Sequence, residues 1–416
     1  MPDLQIVEYP GAIENHSSTE IKEHLGKIFD SIVGGLTKVA PSSGESLGQE
    51  SKNQREIVRR GIFSEINDFF YDNKWTDGLP IVPPTIEAVE EMLSWTDLPA
   101  DKEIATLQIA NLRATPRNIA VNGVMAGCRP EYMPLLVAAV EAIGDPLYQL
   151  RDIGSTASIK PFLLVNGPII KQLDIYYGTS VMCPVRRVNS TVGRALGLIV
   201  RNIAGFREGE GWLGCFGLPG TPFVIAEDED RSPWNPYHVD RGFQRSTSTV
   251  TAMAWMNLSY QLLTTGVKAE PHLNGISYYM GKATGATTLN FQEHQSFVIL
   301  ISPSNAQIIA RDGYSREDVK QYITENARLT VGEIDEELRF CLTGSHTVHS
   351  YVEEGKWPKS LDLRPDEMIS FILSPELLHV VVCGGHERNR NLIIRAYNVT
   401  PVTKEIKLPA RWNIGK

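Results

Sequence analysis

The chain reads as a mixed, layered α/β protein: two α/β subdomains and a peripheral helical arm at the N-terminus. Three observations predict this. Apolar stretches of strand length recur, PFLLVN (161–166), TSTVTAMAW (247–255), SFVILISP (296–303) and LLHVVVCGGH (377–386). Helical patterns stand between them, with caps and prolines at their ends. Alternation of the two argues for helices layered on sheet. At 416 residues the chain exceeds one ordinary domain. The expected division is 1–52 for the arm and its linker, 53–290 for an α/β domain with the main site, and 291–416 for a C-terminal α/β subdomain.

In chain order, Ile21, Leu25, Ile28, Phe29 and Ile32 mark one face of a helix over residues 19–36. That face needs a partner surface, which predicts a homo-oligomer. KVAPSSGESLGQESKN follows as a Ser/Gly-rich linker. Ile57, Phe63, Ile66, Phe69 and Phe70 suit a helix ending near Asn73. WTDGLPIVPPT (75–85) is held extended by its prolines, and Thr85 caps the next helix. Pro116 and Pro130 suit first helical turns on either side of MAGCRPEY. Cys128 lies at that junction, where a helix N-terminus and Arg129 would lower a thiol pKa. Asn189, Ser190 and Thr191 read as caps of a helix carrying Val192, Leu196, Ile199 and Val200. Ser315 caps a helix with Val319, Tyr322 and Ile323 on its apolar face. NLIIRAYNV (391–399) is placed as a strand returning beside 377–386. No internal repeat is visible.

Composition excludes several function classes. The net charge of −9 argues against nucleic-acid binding. No apolar run reaches membrane-spanning length, and the acidic N-terminus lacks a secretory leader. Five cysteines at wide spacing do not form a disulfide framework, which favours a reducing cytoplasm.

The candidate site centres on WLGCFGLPGTPFVIAEDEDRSPWNPYHVDRGF (212–243), a segment too rich in Gly, Pro, Trp and charge to be interior helix or strand. Cys215 lies between glycine-containing turns. His238 would deprotonate it and Asp240 would orient or balance a neighbour, the logic of an activated thiol. Arg187 and Arg194 flank a helix start, where free N–H groups and guanidinium groups favour an anion. Arg241 would hold a carboxylate by a bidentate contact. Glu227 to Asp230 form either a solvated acidic run or an internal counter-charge. His346 with His349, and His379 with Cys383, are weak metal patterns.

DGLPIVPPT, NGVMAGCRPEY, RRVNSTVGRALGLI, SPWNPYHVDRGF and ARDGYSREDV, in this order, resemble a poorly characterised bacterial family whose members are often encoded beside small proteins with a UGSC or CGSC (seleno)cysteine motif. The likeness covers roughly residues 60–400. It implies a link to thiol or selenol redox chemistry and marks Asp77, Cys128, Glu131, Arg187, Asn189, Arg194, Trp234, His238 and Arg241 as family-like. VMCPVR before Arg187 and CGGHERNRN near the C-terminus depart from the family pattern, which points to a changed substrate.

These features lead to one preferred expectation: a cytoplasmic small-molecule enzyme, or its catalytic subunit, of lyase or oxidoreductase type. It would make or break a carbon–heteroatom bond in an anionic substrate. His238, Cys215 and Asp240 are the catalytic candidates. Arg187, Asn189, Arg194, Arg241, Trp234, Asp77 and Cys128 are the substrate-binding ones. No nucleotide cofactor is expected, because no phosphate-cradling glycine motif is present. A metal is left open. The alternatives are a substrate-binding subunit serving a redox partner, and a metal-dependent hydrolase or lyase.

Overall fold

The computed structural model describes residues 7, 9–11, 13, 16–37, 56–220, 222–284, 295–342, 346–370, 372–397 and 400–414. It divides into two units, Met1–Val58 and Arg59–Lys416. In the first, helix α1 (Ser18–Thr37) occupies the stretch with the one-sided apolar pattern.

The second unit opens with α2 (Phe63–Asp72) and α3 (Ile86–Leu93), the hairpin β1 (Ala105–Leu107) and β2 (Leu112–Ala114), then α4 (Pro116–Ala126) and α5 (Met133–Ile143). Thr85 caps α3 by accepting from the Ala88 N–H at 3.2 Å. Next come β3 (Lys160–Asn166), α6 (Ile169–Gln172), α7 (Arg187–Asn202), β4 (Val224–Ala226), α8 (Tyr237–Asp240), β5 (Thr249–Trp255), β6 (Asn257–Leu258) and β7 (Leu262–Leu263). The remainder is α9 (Ala269–Thr284), β8 (Gln295–Ile301), α10 (Pro303–Arg311), α11 (Arg316–Asn326), β9 (Arg328–Thr330), α12 (Val331–Glu337), α13 (Val348–Glu353), β10 (Met368–Ser370), β11 (Leu378–Val382), β12 (Arg390–Tyr397) and β13 (Val402–Glu405).

Two sheets organise this unit, in the orders β13-β5-β3-β4 and β11-β8-β12-β6. Successive side chains of a strand point to opposite faces, so each strand feeds two cores. Leu163, Val165, Val224 and Ala226 join the helices α4, α5 and α7 on one side of the first sheet. Phe162, Leu164 and Ile225 point the other way, onto Val298, Leu300 and Val381 of the second sheet. Phe297, Ile299, Ile301, Val380 and Val382 then face the helices α9, α10 and α11. The result is four layers, helix–sheet–sheet–helix, and it accounts for strands that read as continuously apolar.

The expected pairing of 391–399 with 377–386 is corrected: β8 lies between β11 and β12. The periodicity of a buried strand reveals that both faces are covered, not which strand lies alongside. A repeat invisible in the sequence appears in the topology. In the first sheet β3 has a parallel neighbour β4 and an antiparallel neighbour β5, which pairs with antiparallel β13. In the second, β8 has parallel β11 and antiparallel β12, which pairs with antiparallel β6. The fourth strands are exchanged: β6 follows β5 in the chain but joins β12, and β13 follows β12 but joins β5. The boundary expected at residue 290 lies outside the described residues.

Candidate functional site

The segment 212–243 has three parts with different surroundings. Its first part packs along Gly154 to Ser158: Cys215 donates its N–H to the Thr156 carbonyl at 3.1 Å, and a Cβ at Gly214 would collide with Ser158. Cys215 is exposed. The middle part is β4, wedged beside β3. The last part carries α8, whose fixed turn comes from Pro236 at its start.

The acids that follow β4 are not a solvated run. Glu227 and Asp228 are both 0% exposed. Glu227 accepts from Arg316 Nη2 at 2.6 Å, the Tyr237 N–H at 2.6 Å and Asn166 Nδ2 at 2.7 Å. Burial raises its pKa, opposed chiefly by the Arg316 charge. Glu229 accepts from Asn166 and the Gly167 N–H, and Asp228 binds Arg231. Glu227, Asp228 and Glu229 are thus used internally, while exposed Asp230 pairs with Lys171 at 2.8 Å.

His238 is fully buried inside this frame. Its Nε2 lies 3.2 Å from the Gln244 carbonyl, and its Nδ1 is 3.8 Å from Glu229. Burial lowers its pKa. No hydrogen bond joins His238 to Cys215 among the described residues, so the expected thiol–imidazole pair is not assembled here.

The neighbouring helix residues instead build a polar cleft of about 520 Å³ between α8, the start of α11 and the start of β11. A chain of three groups lines it. Arg241 Nη1 donates to Tyr237 Oη at 3.0 Å, and Tyr237 Oη lies 3.1 Å from His379 Nδ1. With Arg241 donating to it, the tyrosine oxygen can pass its own proton to His379 Nδ1, an arrangement that puts the imidazole proton on Nε2. Burial, reinforced by the Arg241 and Lys320 charges, pushes His379 down to about 3. Burial pushes Tyr237 up to about 12. Both groups are therefore neutral at neutral pH.

Charge is supplied around them. Arg316 is 7% exposed and bridges Glu227 and Asp240, yet its Nε–H has no acceptor among the described residues. Its guanidinium stands 5.9 Å from the centre of the Trp234 ring, which is fixed by an N–H bond to the Tyr314 carbonyl. Lys320 pairs with Glu317 at 2.8 Å. Arg241 bonds neutral oxygens, Tyr237 Oη and the Pro401 carbonyl, and has no carboxylate partner among the described residues.

Of the sequence candidates, the structure brings Trp234, Asp240 and Arg241 into this cleft. It places the others elsewhere. Arg194 makes a bidentate pair with Asp77 at 2.8 and 2.9 Å and also binds the Leu79 and Pro80 carbonyls. Burial pushes Asp77 up, but the arginine outweighs it and the net shift is downward. The pair is a clamp on the DGLP turn. Asn189 is not a cap: α7 begins at Arg187, and the Asn189 amide binds both backbone groups of Tyr176 and the Val224 carbonyl. Arg187 is exposed, with no ion-pair partner among the described residues. Cys128 is the opposite of an activated thiol, since burial pushes it up to about 12 against a weaker Thr191 hydrogen bond and Arg194 charge. Arg129 turns toward Glu131 at 3.8 Å.

The metal patterns do not converge. His349 binds Asp362 and Glu353, while His346 stacks on Tyr351. No group of three or more His, Cys, Asp or Glu suited to a metal occurs among the described residues. No described helix is long and apolar enough to cross a membrane.

Tyr237, Arg316, Lys320 and His379 were missed as site residues. Tyr237 and Arg316 stand in two of the quoted motifs, SPWNPYHVDRGF and ARDGYSREDV, so a signal existed. His379 had signalled only a weak metal pattern with Cys383, because its role depends on a tyrosine 142 residues away. Compared with family models, curated proteins and solved structures, the chain matches none.

Proposed function

We propose that the chain is a small-molecule enzyme that binds a carboxylate- or phosphate-bearing substrate in the α8–α11–β11 cleft and makes or breaks a carbon–heteroatom bond by acid–base catalysis. The observation that carries this reading is Arg241: a guanidinium on the cleft wall, oriented by Tyr237 and Pro401, with no described carboxylate to neutralise it. Its unused N–H donors suit a planar anion. Beside it, neutral His379 presents an Nε2–H, and a neutral imidazole can polarise a carbonyl or donate to a developing oxyanion. Tyr237 relays the proton position between the arginine and the imidazole. None of the residues lining the cleft is a cysteine, so the chemistry assigned here is acid–base.

Calorimetric titration with succinate and with inorganic phosphate tests the binding step. Arg241→Ala should weaken binding by about tenfold or more, as for a lost charge-assisted pair. Arg187→Ala should leave it unchanged. Equal binding by wild type and Arg241→Ala would remove the basis of the proposal. Once a turnover assay exists, His379→Gln should lower kcat while KM stays similar, because a group acting in the transition state affects turnover more than affinity.

A further inference from the structure

We propose that the substrate of the α8–α11–β11 cleft is an amino acid, with its carboxylate on Arg241 and its ammonium group on Glu376. This rests on the reading of the cleft given above and narrows its anion to a zwitterion. Two observations lead to it.

The first is how charge is paired inside the cleft. Arg316 is matched by Glu227 and Asp240. Lys320 is matched by Glu317. Two of the charged residues lining the cleft are left over: Arg241, and Glu376, which has no ion-pair partner among the described residues. One guanidinium and one carboxylate therefore border the same space of about 520 Å³ without a counter-charge. A simple carboxylate would satisfy the arginine and add a like charge beside the glutamate. A phosphate would add still more negative charge. An amino acid carries one charge of each sign and matches both anchors. Trp234, Leu378 and Val380 supply apolar surface for its carbon chain.

The second is that both anchors are held in place before any ligand arrives. Arg241 is oriented by Tyr237 Oη at 3.0 Å and by the Pro401 carbonyl at 3.2 Å. Tyr237 Oη lies 3.1 Å from His379 Nδ1. Glu376 precedes His379 by three residues, so the two Cα atoms are within about 11 Å. The glutamate sits in the single turn Pro375–Leu377, which runs directly into buried β11. Pro375 fixes the backbone there, and the Ser374 hydroxyl accepts the Glu376 N–H at 3.3 Å. Anchors on a preset backbone lose little freedom when a ligand joins them. His379 connects them, bonded to the tyrosine that orients one and three residues from the other.

Calorimetric titration of the full chain at low ionic strength tests this on one three-carbon frame. Propionate carries the carboxylate alone. L-alanine adds an amine at the second carbon and β-alanine at the third, where succinate has a second carboxylate. Butyrate and 4-aminobutyrate extend the span. At least one amino form should bind about three- to fivefold more tightly than its parent carboxylate, the magnitude of an exposed ion pair. Raising salt to about 0.5 M should shrink that advantage. Glu376→Gln should erase it and change propionate little. The same substitution should strengthen succinate, whose second carboxylate no longer meets a like charge. A merely loosened cleft would weaken all the probes together. Arg241→Ala should weaken every probe. If propionate binds wild type and Arg241→Ala alike, the anion site itself is wrong and this inference falls with it. If propionate depends on Arg241 but no amino form exceeds its parent, the amino acid is overturned and the anion site stands. An amino advantage that survives Glu376→Gln overturns the assignment to Glu376.

Discussion

His379 is a neutral ring by virtue of where it sits, and that has a consequence for stability. Its pKa is 6.5 in an ordinary setting and about 3 here, mainly through burial. The unfolded chain therefore takes up a proton that the folded chain refuses. The stability tied to this ring is complete above pH 6.5 and declines as pH falls toward 3. Between pH 6.5 and 5 the loss should be about 2 kcal/mol, at 1.36 kcal/mol per unit. Urea unfolding at several pH values checks it: His379→Gln should show a flatter decline than wild type across that window. Arg194 tests a different assignment. Arg194 is largely covered while the DGLP turn it clamps is exposed, so Arg194→Ala should cost about 1 kcal/mol and leave anion binding at Arg241 intact. Weakened anion binding with unchanged stability would restore Arg194 to the site. At this scale the sequence revealed residue types and motif neighbourhoods. Arg241 and Trp234 stood out because both lie in SPWNPYHVDRGF, one of the motifs that carry the family resemblance. Arg316 was legible as a helix start only, since nothing local shows that it reaches Glu227, 89 positions away in sequence.

Elements were legible where local physics decides them. β8, α10 and α11 fall where apolar runs, Pro303 and the Ser315 cap place them, and Ser315 closes a capping box with Asp318. Local physics failed at α7. Asn189 has the chemistry of a cap, but the helix starts two residues earlier, and tertiary structure uses the amide to join the Tyr176 segment to β4. The acidic run left two readings open, solvated or an internal counter-charge, and only tertiary contacts decide between them: Asn166, Arg316 and the Tyr237 N–H, from three other places in the chain, converge on Glu227. Asn189→Ala would leave a buried N–H and two carbonyls short of a partner. It should destabilise the protein by about 2–4 kcal/mol, read as a lower denaturation midpoint at constant m-value. A change within a few tenths of a kcal/mol would mean that water replaces the amide and the join is unimportant.

Across the whole second unit, the exchanged strands determine how the molecule can come apart. All three apolar cores are built from residues after the first unit, beginning at Ile66 and Phe70. Removing residues 1–52 should therefore leave a cooperative melt. The two sheets do not have the same independence. Without β13 the first sheet has an open edge at β5 and loses Val402, Ile406 and Trp412 from its core. Without β6 the second sheet loses the edge pairing of β12 at Leu258 and Asn257. Each sheet also covers the other through Phe162, Leu164, Val298 and Leu300, which are all buried between them. Burial of that shared layer is lost at once if either sheet leaves, so intermediates with one sheet folded are strongly disfavoured. Denaturant unfolding followed by tryptophan fluorescence and by far-UV circular dichroism should give superimposable transitions. Splitting the chain sharpens the test. A fragment of residues 56–284 contains the first sheet's β3, β4 and β5 but only the edge strands β6 and β7 of the second, and a fragment of residues 285–416 has β8, β11 and β12 with only β13 of the first. Neither should melt cooperatively alone, whereas mixing the two should restore a cooperative transition. A 56–284 fragment that melts alone near the temperature of the intact protein would show that the exchange couples nothing, and that the two halves are independent domains side by side.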